Sequence, residues 1–287
     1  MPREPAGRAP SATRGRRRAV IRSILALGAL AALSASEIAV AQDPSPETVR
    51  AIAPTGALRA AINYGNPVLA QKGPDGEPAG VSADLARALG RRLGLPVSFV
   101  TFETAGAVVA ALGGARGWDV AFLAIDPHRG ETIAFSPPYV LIEGAYMVRA
   151  DSPITRNDEV DRAGVRIAVG RNTAYDLYLG RHLQAAERVF APTSADALAL
   201  FLTDRPEVLA SVRQPLEAYA RDHAGLRLLP GRFMVIEQAV ATPKANGPAA
   251  AYMRAFIEEM KASGFVAQAL SRSGQDDAVV APAAPAP

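Results

Sequence analysis

The residues best placed to do chemistry are arginines that follow apolar runs. Val120 to Ile125 is apolar without alternation, the pattern of a parallel strand covered on both faces. It ends at Asp126-Pro127, a polar turn-forming pair, and Arg129 follows. Ligands in open α/β sheets sit outside the carboxyl ends of strands, so a guanidinium here is an anion receptor. The alternative is a surface pairing with Glu131. Arg213 stands just beyond a second such run, Val208 to Val212. It is read as a second anion contact or as half of an ion pair within its own lobe. The turn Arg171-Asn172-Thr173-Ala174 opens a helix, whose free N–H groups and dipole attract anions, while Thr173 is also its cap. Tyr64 and Asn66 lie in a turn after an earlier strand, Tyr64 as a lid on a ligand or as ordinary packing. Glu143 is a carboxylate inside an apolar run and needs a partner, whether arginine, ligand or solvent.

No catalytic or metal set assembles from these residues. His128, His182 and His223 are scattered, and only His128 is near the Arg129 turn. There is no cysteine, which excludes disulfides, thiolate metal sites, a cysteine nucleophile and a lipid-modified N-terminal cysteine. The net charge of +3 and pI near 9.4 suggest a nucleic-acid partner at first sight. Residues 1–41, however, hold seven of the 31 basic and two of the 28 acidic residues, which leaves 24 and 26, about −2, for the remainder. The basicity belongs to the leader, and no aromatic-plus-basic stripe for nucleic acid remains.

That leader has the parts of a secretory signal: Arg14, Arg16, Arg17, Arg18 and Arg22, then the short apolar stretch Ile24 to Leu33, then Ala39-Val40-Ala41. The expected cleavage lies near Ala41/Gln42, and a chain without a lipid anchor is then free in the periplasm. The apolar stretch is well short of the ~20 residues that span a bilayer.

The elements that must position the arginines follow in order. Asp43 to Ala53 reads as a polar lead-in. Leu58 to Asn63 is a strand, Lys72 to Gly80 a loop, and Ser82 opens a helix with Leu85, Ala88, Leu89 and Leu93 on one face. A strand (95–102), a helix (105–112) and the strand before Asp126 complete a β-α-β-α-β series, which implies a parallel sheet. The pattern restarts at Val165 and runs to Leu229, with helices from Thr173, from Thr193 or Ser194, and from Pro215. Two similar apolar runs, Tyr139 to Val148 and Phe233 to Ala241, flank this second lobe as crossover strands, so it is inserted rather than appended. The expected organisation is a signal peptide (1–41), lobe 1 (42–148), an inserted lobe 2 (149–232), a return to lobe 1 (233–274) and a disordered Pro/Ala-rich tail (275–287).

Four motifs occur in a telling order: Asn63-Tyr64-Gly65-Asn66-Pro67, Gly80-Val81-Ser82-Ala83-Asp84-Leu85-Ala86, Trp118-Asp119 and Phe135-Ser136-Pro137-Pro138-Tyr139. From Leu58 to about Arg272 the chain resembles the type II periplasmic solute-binding proteins, in the amino-acid-binding branch called solute-binding family 3. The resemblance implies an α/β fold of two lobes, each a mostly parallel sheet flanked by helices, joined by two crossover strands. It also implies a monomer, without cofactor, that hands a small-molecule solute to an inner-membrane ABC permease. Arg129 matches the family's clamp on a ligand α-carboxylate. The Thr-rich loop before that clamp is shortened to Ala124-Ile125-Asp126-Pro127-His128. Where the family's acid receives a ligand ammonium, this chain offers Arg213, which favours a second anionic group. The implied solute is anionic or zwitterionic, amino-acid-like or a carboxylate, with Asp126 or Glu143 available for an ammonium. The rival reading is a periplasmic cyclohexadienyl/arogenate-type dehydratase on the same scaffold, using Glu143, Asp126 or His128 as acid or base. A receptor's sensory domain is a third; no second apolar segment is long enough to support it.

Overall fold

The computed structural model describes residues 43–115 and 117–285. The leader, with its cleavage site before Gln42, lies outside the described residues. The stretch expected as a lead-in holds a helix, α1 (Pro46–Ile52), because the Ser45 hydroxyl accepts from Thr48 N at 3.1 Å and Pro46 suits a first helical turn. Then come β1 (Leu58–Asn63), a small hairpin of β2 (Gln71–Lys72) and β3 (Pro78–Ala79), and α2 (Val81–Leu93). β4 (Val97–Phe102), α3 (Ala105–Ala110) and β5 (Val120–Ala124) complete the first series. A 17-residue strand, β6 (Ile133–Arg149), leads out of it. Beyond it lie β7 (Arg166–Gly170), α4 (Ala174–His182), β8 (Glu187–Ala191), α5 (Ser194–Thr203), β9 (Val208–Val212), α6 (Arg213–Asp222) and β10 (Leu226–Leu228). β11 (Met234–Pro243) returns, followed by α7 (Gly247–Ala262), α8 (Phe265–Arg272) and β12 (Val279–Val280).

The strands run in the order β4-β1-β5-β11-β6-β9-β7-β8. β4, β1 and β5 are parallel, as are β9, β7 and β8, and the antiparallel pair β11 and β6 joins the two sets. Each parallel set is a lobe with helices on its faces, and β6 and β11 are the two crossovers. α7 and α8 pack back on the first lobe: Phe256, Ile257 and Val266 are buried in one cluster with Leu58, Leu85 and Leu89.

Two of the sequence motifs have plain mechanical roles. Trp118 is buried and its Nε1 donates to Val108 O at 2.8 Å, which seats α3. Asp119, also buried, accepts from Arg59 N at 2.8 Å and holds the Arg59 guanidinium at 2.6 Å, tying the entry of β5 to β1. In Phe135–Tyr139 the two prolines sit inside β6, where neither can donate to the ladder. The β6–β11 register shifts at Gln238/Ala239 and again before Ala241, and the Ser136 hydroxyl accepts from Val240 N at 3.0 Å in place of a carbonyl. Tyr139 is fully buried against Phe122, its hydroxyl 3.3 Å from that of Ser82.

The expected disordered tail is corrected for residues 275–285. Val279 and Val280 pair antiparallel with Leu141 and Val140 of β6, Ala281 N donates to Tyr139 O at 3.1 Å, and Lys261 Nζ donates to Pro282 O at 2.8 Å. Ala278 and Ala281 are buried. The composition is poor in apolar period, but a two-residue strand needs only a free edge on β6 and small side chains that fit beneath it. Ending the chain at Gln275 should therefore lower urea-unfolding stability by about 1–3 kcal/mol. An unchanged midpoint and slope would show that the strand contributes nothing.

Candidate functional site

The carboxyl ends of β1 and β5, the start of α4, the start of α5 and the middle of β11 meet around a cavity of ≈ 40 Å³. Two glycines permit the close approach. A Cβ on Gly65 would lie 2.5 Å from Glu103 O, and one on Gly106 would lie 2.7 Å from Asn172 Cβ across the cleft.

Arg129 is the cavity's one buried cation, only 3% exposed. The turn after β5 folds it back so that Nη1 donates to Ala124 O at 3.1 Å and Nη2 to Asn172 O at 2.9 Å, the latter on the opposite lobe. Among the described residues no carboxylate forms an ion pair with its guanidinium within 4 Å, although Asp126 Oδ1 accepts from its backbone N at 3.4 Å. Burial pulls its pKa down to about 10, Asp126 opposes that pull, and Arg181 adds to it. Asp126 is equally buried but is not a cavity wall. Its carboxylate takes Arg181 Nη1 at 2.8 Å and accepts from His128 N at 3.0 Å, so it shapes the Arg129 turn and links it to α4.

Opposite Arg129, α4 begins at Ala174 under the Thr173 cap, whose hydroxyl accepts from Asp176 N at 3.1 Å. Ala174 and Tyr175 open the helix, so their amides have no intrahelical acceptor, and both residues line the cavity. The Tyr175 hydroxyl lies 2.5 Å from Ser194 Oγ and 3.5 Å from Ser211 Oγ. Asn66 is buried in the wall, and its Oδ1 has no hydrogen-bond partner. A buried orphan acceptor is costly, and a ligand donor would relieve it.

Of the nine residues singled out by sequence, Asn66, Arg129, Thr173 and Ala174 line this cavity. Tyr64 lines an adjoining one of ≈ 320 Å³, walled by Pro67, Leu198, Leu209 and Leu216, and carries Lys72 Nζ 5.3 Å from its ring centre. Asp126, Glu143, Arg171 and Arg213 line neither. Arg171 lies over the Phe190 ring at 4.3 Å. Arg213 donates through Nε to Glu143 at 2.7 Å, through Nη1 to Glu217 at 3.2 Å, and through Nη2 to Gly231 O. The expectation of a second anion contact at Arg213 is thereby corrected. Side chains alternate at a strand end, and Val212 takes the cavity side while Arg213 turns away into the first turn of α6. Glu143 also holds Arg232 at 2.7 Å, and that bond, with Arg213's, keeps its carboxyl below the usual range. His128 is exposed, 3.3 Å from Glu131. Sequence reasoning missed Gln238, Tyr175, Ser194 and Val212. Gln238 carried a signal, a polar residue inside the apolar run of β11, and it is buried. The others read as core or caps.

The family model for bacterial extracellular solute-binding proteins, family 3, matches residues 58–274. No curated protein sequence matches the chain. A variant of ArgBP from T. maritima is 20% identical with a TM-score of 0.67, over 79% of this chain and 99% of its own. A cysteine-binding protein from Campylobacter jejuni is 19% identical with a TM-score of 0.67, over 79% and 92%. An ancestral amino-acid-binding protein described as a precursor of cyclohexadienyl dehydratase is 22% identical with a TM-score of 0.65, over 78% and 98%. At these identities the likeness is one of fold, the two-lobed type II periplasmic-binding-protein architecture.

Two substitutions separate site from scaffold. Arg213→Ala should cost about 1 kcal/mol of stability in urea unfolding and leave solute affinity unchanged. Arg129→Met should leave the unliganded protein at least as stable, because a buried cation without a carboxylate is replaced by an apolar side chain of similar reach.

Proposed function

This chain belongs to the bacterial extracellular solute-binding proteins of family 3, and we propose that it is the periplasmic substrate-binding component of an ABC importer. It captures a small anionic or zwitterionic solute between hinged lobes. The observation that carries this reading is Arg129, a buried guanidinium held by two carbonyls and lacking a carboxylate. A cation desolvated in this way binds an anion strongly, since the cost of stripping its water has already been met by the fold.

In this reading the solute docks first with its carboxylate on Arg129 and a hydrogen-bond donor toward Asn66 Oδ1, in the half of the cleft built by β1 and β5. Rotation at β6 and β11 then brings up the amides of Ala174 and Tyr175. The contacts Arg129–Asn172 O and Asp126–Arg181 join the lobes on closure. The closed form offers one composite surface to a permease, and the solute enters as a monomer's cargo. The same family membership supports a periplasmic location, and the leader read in the sequence would provide the export. Among the described residues no helix is long and apolar enough to cross a membrane. The structurally similar proteins named for arginine, cysteine or amino-acid binding support the solute class.

A dehydratase on this scaffold has less support. Of its candidate acids and bases, Glu143 and Asp126 are in ion pairs, His128 is exposed beside Glu131, and none of the three lines either cavity. In a thermal-shift screen of amino acids, hydroxy acids, dicarboxylates and sulfonates, a solute at 100 times its Kd should stabilise the protein by about 2.7 kcal/mol. Arg129→Ala should abolish that shift. Turnover of a prephenate-like substrate by the purified protein would overturn the transport reading.

A further inference from the structure

We infer that the solute is a small monocarboxylate with an apolar tail, whose second polar group is a neutral hydroxyl rather than an ammonium. This rests on the solute-binding reading and narrows it. Three observations point the same way.

The one buried charge among the lining residues is positive. Arg129 is the cavity's one buried cation, and the only carboxylate among the lining residues belongs to Glu103. That side chain is 70% exposed at the rim and lies 3.9 Å from Lys72. Asp126 is committed to Arg181, and Glu143 to Arg213 and Arg232. An ammonium brought into this space would be desolvated beside a guanidinium with no buried carboxylate lining the cavity, Asp126 being held by Arg181, which is an arrangement that disfavours a ligand. Val212 occupies the wall at the end of β9, and it cannot supply that charge.

The polar groups that remain are neutral. Asn66 Oδ1 is buried without a partner and needs a donor. The Tyr175, Ser194 and Ser211 hydroxyls bond among themselves and can each either give or take a proton. A ligand hydroxyl satisfies Asn66 without bringing charge. A dicarboxylate fits less well, because Arg129 is the one buried cation and the hydroxyls and α4 amides left for a second carboxylate carry no full charge.

The direction open to a tail is apolar. Gly65, Ser194 and Val212 line both the Arg129 cavity and the ≈ 320 Å³ space next to it, whose far walls are Leu198, Leu209 and Leu216. A carboxylate on Arg129 therefore sends a branched or aromatic tail toward these leucines.

The experiment is calorimetry on protein freed of co-purified ligand by unfolding and refolding. The probes are matched pairs on one carbon skeleton: lactate and alanine, 2-hydroxy-4-methylpentanoate and leucine, 3-phenyllactate and phenylalanine, with 4-methylpentanoate as the deoxy control. The hydroxy acid of at least one larger pair should bind at least about tenfold more tightly than its amino acid, the range expected for one unpaired desolvated charge. Arg129→Ala should abolish that binding, and Asn66→Ala should bring the hydroxy acid down to the deoxy control. Val212 is the N-cap of α6 and has no side-chain capping bond. Val212→Asp suits that position and should swing the preference toward the amino acid. If an amino acid binds the wild type as tightly as its hydroxy partner, the inference falls while the solute-binding reading stands. If no compound in the panel or in the wider screen binds in an Arg129-dependent way, the solute-binding reading falls with it.

Discussion

A guanidinium taken out of water must be paid for somewhere, and in this protein Arg129 is met by carbonyls from both lobes rather than by a carboxylate. Ala124 O comes from the end of β5 and Asn172 O from the turn before α4. One side chain thus depends on the two lobes being brought together, and it is also the group with most capacity left for an anion. Its neighbours are arranged to protect that capacity. Asp126 lies close enough to oppose the desolvation, yet its oxygens are taken by Arg181 and by the amide of His128. A carboxylate bonded directly to the Arg129 guanidinium would have neutralised the site.

The scaffold meets this constraint through a continuous sheet. Two parallel sets place their strand ends toward the same cleft, and the antiparallel pair β6 and β11 carries the chain between them. The prolines in β6 and the register shifts opposite them put an irregularity in that pair, with Ser136 replacing a ladder acceptor. β12 lies against β6 at Leu141 and Val140, a few residues beyond those prolines, so the C-terminal segment braces one of the two connections. Any rotation between the lobes takes place with that brace attached to the first lobe through Lys261.

The ion pairs divide the remaining charge between scaffold and site. Arg213, Glu143 and Arg232 form a cluster that ties β6, α6 and the segment before β11 together outside the cavity. Arg59–Asp119 does the same for β1 and β5. The part-exposed pairs at Glu143 contribute little each, whereas Asp119 is buried; at both places the effect is geometric, holding strand ends in register. What faces the solute is one buried cation, a few hydroxyls and amides, and apolar walls, with Glu103 exposed at the rim.

Most of the order of strands and helices (α1 and the β2–β3 hairpin excepted), the two crossover runs and the strand-end position of Arg129 were readable from sequence, because hydrophobic period and strand-end position are local properties of the chain. Trp118, Asp119 and Phe135–Tyr139 were readable as motifs for the same reason. The side toward which Arg213 turns was not, since it depends on which face of β9 meets the cleft. Gln238 showed only as a polar residue inside an apolar run, because the fold alone brings Arg129, Tyr175 and Val212 around it. Asp126 and Glu143 look alike as lone acids near apolar runs, and only the fold shows that arginines distant in sequence take both. β12 escaped because two valines in an Ala/Pro tail have no pattern until an edge of β6 is there to receive them. The chain alone thus decides what is apolar, where strands end and where a cation must stand. Which charges neutralise one another, and which one is left for a solute, is settled only when distant strand ends are brought within a few ångströms, the range over which hydrogen bonds and desolvated charges act.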